Sequence, residues 1–189
     1  MHIKKWQKLY TLQHYGFGND HKKYYGIDHD RVISPGGAEV DYFVLRISPH
    51  SVVIAVTPEQ KILCVRQHRY ATNEVTIELP MGNSDGGDLL IAARRELEEE
   101  TGYTAIDLKE IGKYQEANGI AEFWGHVFFT KNAVLAEKPA QDPEDKNLIE
   151  LCSYTVPEIQ QMIAQGHITD ASSICAFSIA YFGGKLSNI

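Results

Sequence analysis

The sequence predicts an α/β fold preceded by a small β appendage, and three observations agree with that reading. Apolar, β-branched runs of strand length recur from residue 40 to residue 154. A Glu-rich segment of helical character comes after the first three strands of the main body, and two further helical segments close the chain. Strands interleaved with helices in this way are built into an α/β layer arrangement, because each sheet face needs an apolar cover.

The elements run in order along the chain. Residues 1–48 hold short strand-like pieces, among them 40–45, broken by Gly16, Gly18 and the turn Ser34-Pro35-Gly36-Gly37. Runs 51–57 and 61–67, separated by Pro58-Glu59-Gln60, predict a β-hairpin that leads towards a strand at 76–80. A helix is predicted over 88–101, strands at 109–114 and 124–130, and an acidic loop over 137–147 that contains Pro139 and Pro143. After a strand at 148–154, Thr155-Val156-Pro157-Glu158 carries the capping-box pattern for a helix to about Ala164, ended by Gly166. A last helix over 170–182 places Ile174, Phe177, Ala180 and Tyr181 at helical spacing.

Composition narrows the function classes. The chain has 189 residues, 43% of them hydrophobic, enough to bury a full core. Its formal net charge of −7 argues against nonspecific binding to nucleic acid or to anionic lipid, which both attract basic surfaces. Cys64, Cys152 and Cys175 are odd in number and far apart in sequence, so each is read as a buried thiol in a reducing compartment, the cytoplasm. Residues 1–12 lack the apolar stretch of a signal peptide, and no run reaches the length of a membrane span.

The most informative segment is Arg95-Glu96-Leu97-Glu98-Glu99-Glu100-Thr101-Gly102. On a helix Glu96, Glu99 and Glu100 stand at i, i+3 and i+4, within about 100° of arc, while Glu98 points away. Like charges at this spacing oppose helix formation, and the helix dipole disfavours anions near its C-terminus. Arg95, four residues before Glu99, can orient that carboxylate but cannot balance three acids. A hard divalent cation such as Mg²⁺ can, since it takes carboxylate oxygens as ligands. The alternative is a solvated acidic face.

These residues resemble the Nudix hydrolase box: Gly, five residues, Glu, seven residues, Arg-Glu, an aliphatic, any residue, Glu-Glu, any residue, Gly and an apolar residue. Arg95, Glu96, Leu97, Glu99, Glu100, Gly102 and Tyr103 fill its second half without a gap. The first half departs from it. Asp88 stands where the family has Glu, and Gly82 lies one residue closer to Arg95 than usual. Asp88 is therefore read as the helix N-cap, a role Asp fills well. The resemblance implies an α/β/α sandwich with a mixed sheet, a Nudix hydrolase domain over 49–189, and the appendage over 1–48. It also implies metal bound by Glu96, Glu99 and Glu100, Mg²⁺ with Mn²⁺ as a substitute, and Arg95 as a catalytic residue.

The segments Val65-Arg66-Gln67-His68-Arg69-Tyr70 and Ile77-Glu78-Leu79-Pro80-Met81-Gly82 resemble those of the ADP-ribose pyrophosphatase branch. Arg66 and Arg69 offer guanidiniums to phosphate oxygens. One of the two can be structural instead, because strand residues alternate between faces, and Arg69 is preferred for substrate. The branch implies a substrate or positioning role for Glu78 and a main-chain carbonyl ligand at Met81. It further implies a homodimer built by the appendage, with Trp6 and one of Tyr24 or Tyr25 stacking on a nucleobase; the alternative is that these rings pack the appendage.

The implied reaction is metal-dependent cleavage of a nucleoside diphosphate derivative, ADP-ribose to AMP and ribose 5-phosphate, with bound metal activating water and screening phosphoryl charge. The branch takes its general base from a loop where this chain has Asn147, which cannot accept a proton. Glu144, Asp145 and Glu122 are the candidates, with Glu99 as base in place of ligand a further one. Two other functions stay open: hydrolysis of another nucleotide sugar or a dinucleotide, and a nucleotide-binding domain without catalysis.

Overall fold

Residues 52–56 and 62–65 are apolar without interruption, which in a strand means that both faces are covered. The structure, a computed structural model, describes residues 3–19, 22–84, 86–137, 149–187 and 189. Among them the chain runs β1 (Gln7–Asn19), β2 (Lys22–Ile33), β3 (Glu39–Ile47), β4 (His50–Ala55), β5 (Ile62–Arg69), β6 (Glu74–Glu78) and β7 (Met81–Asn83). It continues through α1 (Leu89–Thr101), β8 (Tyr103–Thr104), β9 (Lys109–Gln115), β10 (Ala121–Glu122), β11 (Trp124–Thr130), β12 (Val134–Leu135), β13 (Ile149–Tyr154), α2 (Val156–Ala164) and α3 (Ala171–Phe182).

Two compact units result, Met1–Ser48 with Gln115–Trp124, and Pro49–Tyr114 with Gly125–Ile189. The first is a sheet in the order β1-β2-β3-β10, antiparallel except for the short parallel pairing of β10 with β3. The short pieces expected here are instead long strands. β1 passes through Gly16 and Gly18, and the second glycine falls at a register shift after Phe17, so it makes a bulge where a strand end was expected. The segment 115–124, inserted between β9 and β11, also belongs to this unit, a partnership that no local pattern announces.

In the second unit a mixed sheet, β7-β4-β11-β9, and an antiparallel sheet, β13-β5-β6, are layered between helices. Alternation along the strands assigns the layers. Val52, Ile54 and Val56 of the β4 region, Ile62 and Cys64 of β5, and Val127 of β11 join Ile159, Ala176, Phe177 and Ala180 of α2 and α3 in one core. Their neighbours Val53, Ala55, Leu63 and Phe128 join Ala93 and Leu97 of α1 in the other. This is an α/β/α sandwich.

The hairpin expected from 51–57 and 61–67 is corrected by this arrangement. A single antiparallel bridge, Val56 with Ile62, joins the two runs before they part into different sheets. β4 instead pairs with β11 and β7, and β5 with β13 and β6, because strands buried on both faces need partners on both edges of a layer. The chain crosses between sheets a second time at Leu79–Pro80, the two residues between β6 and β7.

The cysteines need a correction as well. Cys64 is buried but Cys152 and Cys175 are only partly so, and Cys64 and Cys152 are direct cross-strand partners in the β5–β13 ladder. Separation in sequence concealed that pairing. In α3, Phe177 and Ala180 are buried, but Tyr181 at 40% exposure lies at the edge of the face. No helix among the described residues is long and apolar enough to cross a membrane.

Candidate active site

α1 presents the acidic segment, and its ends explain two residues of the motif. Asp88 is the N-cap, its carboxylate accepting from Leu90 N at 2.8 Å and Ile91 N at 3.1 Å. Gly102 ends the helix in the left-handed region, φ 72°, and its N–H donates to the Glu98 carbonyl at 2.9 Å. A side chain there would be strained, so the glycine stops the helix two residues after the last acid.

Gly82 has a different reason. A Cβ at this position would stand 2.0 Å from Cδ of Glu96 and 2.1 Å from its Oε1, so the Glu96 carboxylate lies against bare backbone of β7. One residue earlier, Met81 N donates to Glu100 Oε2 at 3.1 Å. β7 thus holds both acids from the same side, through a missing side chain and an amide.

Burial and charge then act on Glu100. Its carboxyl is pushed up to about 8, first by burial and then by the charge of Glu96, with the Met81 N–H pulling the other way. Two carboxylates in one poorly hydrated place disfavour double ionisation. Arg95 reaches Glu96 Oε1 at 2.6 Å, Glu99 Oε2 at 2.9 Å and the Asn83 carbonyl at 3.1 Å. It therefore bridges Glu96 and Glu99.

Beside this pair stands a second arrangement. Glu78, only 3% exposed, accepts from Arg69 Nε at 2.8 Å and from a second Arg69 nitrogen, and also from Thr76 Oγ1 and from Gln67 Nε2 at 3.4 Å. The guanidinium of Arg69 is held protonated chiefly by that bond, with Glu100 and Asp170 adding to it. Arg66, three residues earlier on β5, faces elsewhere and pairs with Glu150 of β13 at 3.5 Å.

The structure therefore brings Glu96, Glu100, Arg95, Met81 and Gly82 together, with Glu78 and Arg69 adjoining, and sets Arg66 apart. Trp6, Tyr25 and Glu122 belong to the first unit. There Trp6 meets Tyr42 edge to face at 5.4 Å between centroids, Tyr25 is 54% exposed, and Glu122 is ion-paired to Arg46. Glu144, Asp145, Asn147 and the side chain of Tyr24 lie outside the described residues.

The sequence reading missed Ser173 and His50. Ser173 Oγ accepts from Leu79 N at 2.9 Å, in the crossover that leads into β7. His50 Nε2 lies 3.1 Å from the Tyr114 hydroxyl and 3.3 Å from Ser172 Oγ. Asp170 and Ser173, three apart at a helix start, carry a visible capping signal, but nothing local marks the strand that Ser173 reaches.

Which metal these groups suit can be judged from their chemistry. Among the described residues no three His, Cys, Asp or Glu side chains are gathered closely enough to hold an ion as they stand. Glu96 and Glu100 nonetheless form a partly buried pair of like charge, with oxygen donors only and a backbone cradle at Gly82. Such a pair fits a hard divalent cation, which would let both acids ionise.

Residues 48–177 match the NUDIX domain model, and the chain belongs to that family; it is a Nudix hydrolase. It is 33% identical over 130 residues to an ADP-ribose pyrophosphatase of Bacillus subtilis (strain 168), covering 68% of this chain and 69% of that protein. It is 31% identical over 148 residues to a methanol dehydrogenase activator of Bacillus methanolicus, covering 78% and 80%. A crystal structure of an ADP compounds hydrolase superposes with a TM-score of 0.74 over 96% of both chains, and at 15% identity that likeness speaks for the fold alone.

Proposed function

We propose that this hydrolase cleaves the diphosphate bond of a nucleoside diphosphate sugar, ADP-ribose to AMP and ribose 5-phosphate, with Mg²⁺ or Mn²⁺ as cofactor. One observation carries the reading: the partly buried Glu96–Glu100 pair, set against Gly82 and the Met81 amide in a segment of the family motif. Glu96 and Glu100 would hold the metal, with Glu99 and the Met81 carbonyl as further ligands. A divalent cation held by these residues would supply water activation and charge screening at the phosphoryl oxygens.

The chain's own residues do the rest. Arg95 fixes the rotamers of Glu96 and Glu99. Arg69, locked to buried Glu78, presents its remaining N–H groups to a phosphate in a fixed orientation, which reduces the entropy lost when substrate is bound. Arg66, paired among the described residues to exposed Glu150, is the second phosphate candidate. The general base is sought among Glu99, Glu122, Glu144 and Asp145 by single substitutions to Gln or Asn. Loss of kcat with unchanged Mn²⁺ binding marks it.

The test is release of AMP from a panel headed by ADP-ribose, with other nucleotide sugars and dinucleotides, in Mg²⁺, in Mn²⁺ and in EDTA. Metal-dependent cleavage with ADP-ribose preferred supports the assignment, and preference for another member moves the specificity. The two relatives bear different names, so a different nucleoside diphosphate derivative is the second reading. No cleavage of any member would refute both.

We also propose a homodimer through the first unit, which exposes Trp6, Leu9, Leu12, Tyr15 and Phe43. Trp6 and Tyr25 are the candidates for stacking on the nucleobase. Light scattering that gives a monomer mass would end the dimer proposal, and an unchanged KM in W6A and Y25A would end the stacking one. The cytoplasm, proposed from three free thiols, is checked by cell fractionation.

A further inference from the structure

We infer that Ser173 is a positioning residue of this active site: its hydroxyl holds the Leu79–Pro80 crossover in place so that β7 meets Glu96 and Glu100. The inference rests on the metal site proposed above and adds a residue to its supports.

The crossover is packed in the core but belongs to neither sheet. β6 ends at Glu78 in one sheet and β7 begins at Met81 in the other, so Leu79 and Pro80 lie outside both ladders. Proline has no N–H, which leaves Leu79 as the one backbone donor of the pair. Leu79 is 3% exposed, and a buried amide without an acceptor would be costly. Ser173 Oγ, also 3% exposed, accepts from it at 2.9 Å, while Val53 N donates to the Pro80 carbonyl at 2.8 Å. The crossover is thus pinned from two sides, by β4 and by α3.

Both neighbours of the crossover are sensitive to its position. On the β7 side, Met81 N must reach Glu100, and Gly82 must pass the Glu96 carboxylate where even one carbon is too many. On the β6 side stands Glu78, the anchor of Arg69. A displacement of a few tenths of an ångström at Leu79 is therefore felt at both ends, by the metal ligands and by the phosphate-binding arginine. Ser173 is itself fixed, because its N–H donates to Oδ2 of Asp170, the N-cap of α3, at 2.7 Å. The first turn of α3 is the brace, and the hydroxyl is its point of contact.

The experiment measures Mn²⁺ binding by electron paramagnetic resonance on the full chain, beside turnover and melting temperature, in wild type, S173A, S173T, S173V and E100Q. The expected result is about tenfold weaker Mn²⁺ binding in S173A, the size usual for a group that orients metal ligands, with a matching rise in the metal needed for half-maximal turnover. S173T keeps the hydroxyl and stays near wild type, whereas S173V, with a side chain of similar size to threonine, behaves as S173A does. A merely structural role lowers the melting temperature of S173A and leaves the metal affinity of the folded protein alone, and that outcome overturns the inference. E100Q separates the two claims: unchanged Mn²⁺ binding in E100Q removes the metal site itself. If S173A and S173V do not fold, hydrogen exchange of the Leu79 amide in wild type decides. Protection that rises on adding Mg²⁺ supports the brace, and equal exchange with and without Mg²⁺ overturns it.

Discussion

Glu78 and Glu100 stand on neighbouring elements, both largely withdrawn from water, yet the chain treats them differently. Glu78 is met by the Arg69 guanidinium and two neutral donors, so its charge is balanced within the protein. Glu100 accepts from one amide and stands beside another carboxylate, and burial first, then the charge of Glu96, push its pKa up to about 8 against the pull of that amide and of Arg69. A protein can keep a paired buried charge for structure, but an unpaired one of like sign is kept at the expense of stability. The contrast points to the second acid as the place to look for chemistry: the first is bound by an arginine, and the second is held against a like charge.

That contrast is most open to attack at Glu100 itself. E100Q keeps the shape and the acceptor for Met81 N but removes the charge, and turnover should fall by about 10³-fold with the fold intact. Steady-state AMP release together with circular dichroism checks this, and an active E100Q would place the two acids in one class after all.

Gly82→Ala should come next. The new methyl must push the Glu96 carboxylate aside, and an ångström of misplacement at a reacting centre is worth about 10²-fold in rate. Turnover at saturating Mg²⁺ tests it; a variant as fast as wild type would mean that the position of Glu96 is unimportant.

Stability should separate the two acids by sign. R69A strands Glu78 as a buried charge and should lower stability by about 2 kcal/mol, a figure reduced from the usual buried-pair value because Arg69 is 43% exposed. In EDTA, E100Q should do the reverse. A carboxyl whose pKa is higher folded than unfolded contributes its full stability below the unfolded value, near 4.5, and loses it as pH rises through about 8. Denaturant midpoints of wild type and E100Q should therefore coincide near pH 4.5 and part by up to a few kcal/mol above pH 8, with E100Q the more stable. Excess Mg²⁺ should close that gap. Parallel pH profiles would show that Glu100 carries no such burden.

The smallest effect concerns the position where the family motif has Glu. D88A should cost about 1 kcal/mol of stability, the worth of an N-cap, and leave the Mg²⁺ dependence of turnover unchanged. A shifted Mg²⁺ requirement would move Asp88 from the helix cap to the metal site.

Much of this was legible in the residues. The helix over 88–101 and its acidic face came from the family motif, both later helices from capping and periodicity, and most strands from apolar, β-branched runs, all of which act within a few residues. Asp88 as cap and Gly102 as stop are of that kind. The hairpin failed because the pattern of 51–57 and 61–67 specifies buried strands, not which strands they pair with.

Read alone, the residues settle an inventory: which segments are strands or helices, which acids share a helix turn, and that the arginines lie upstream of them. Packing decides who meets whom. Arg69 is bound to Glu78 while Arg66 turns away, Gly82 leaves room for Glu96, and Ser173 reaches Leu79 from 94 residues away. Propensity and periodicity are set by neighbours along the chain, whereas burial, charge pairing and hydrogen-bond satisfaction depend on groups that only the packed layers bring together.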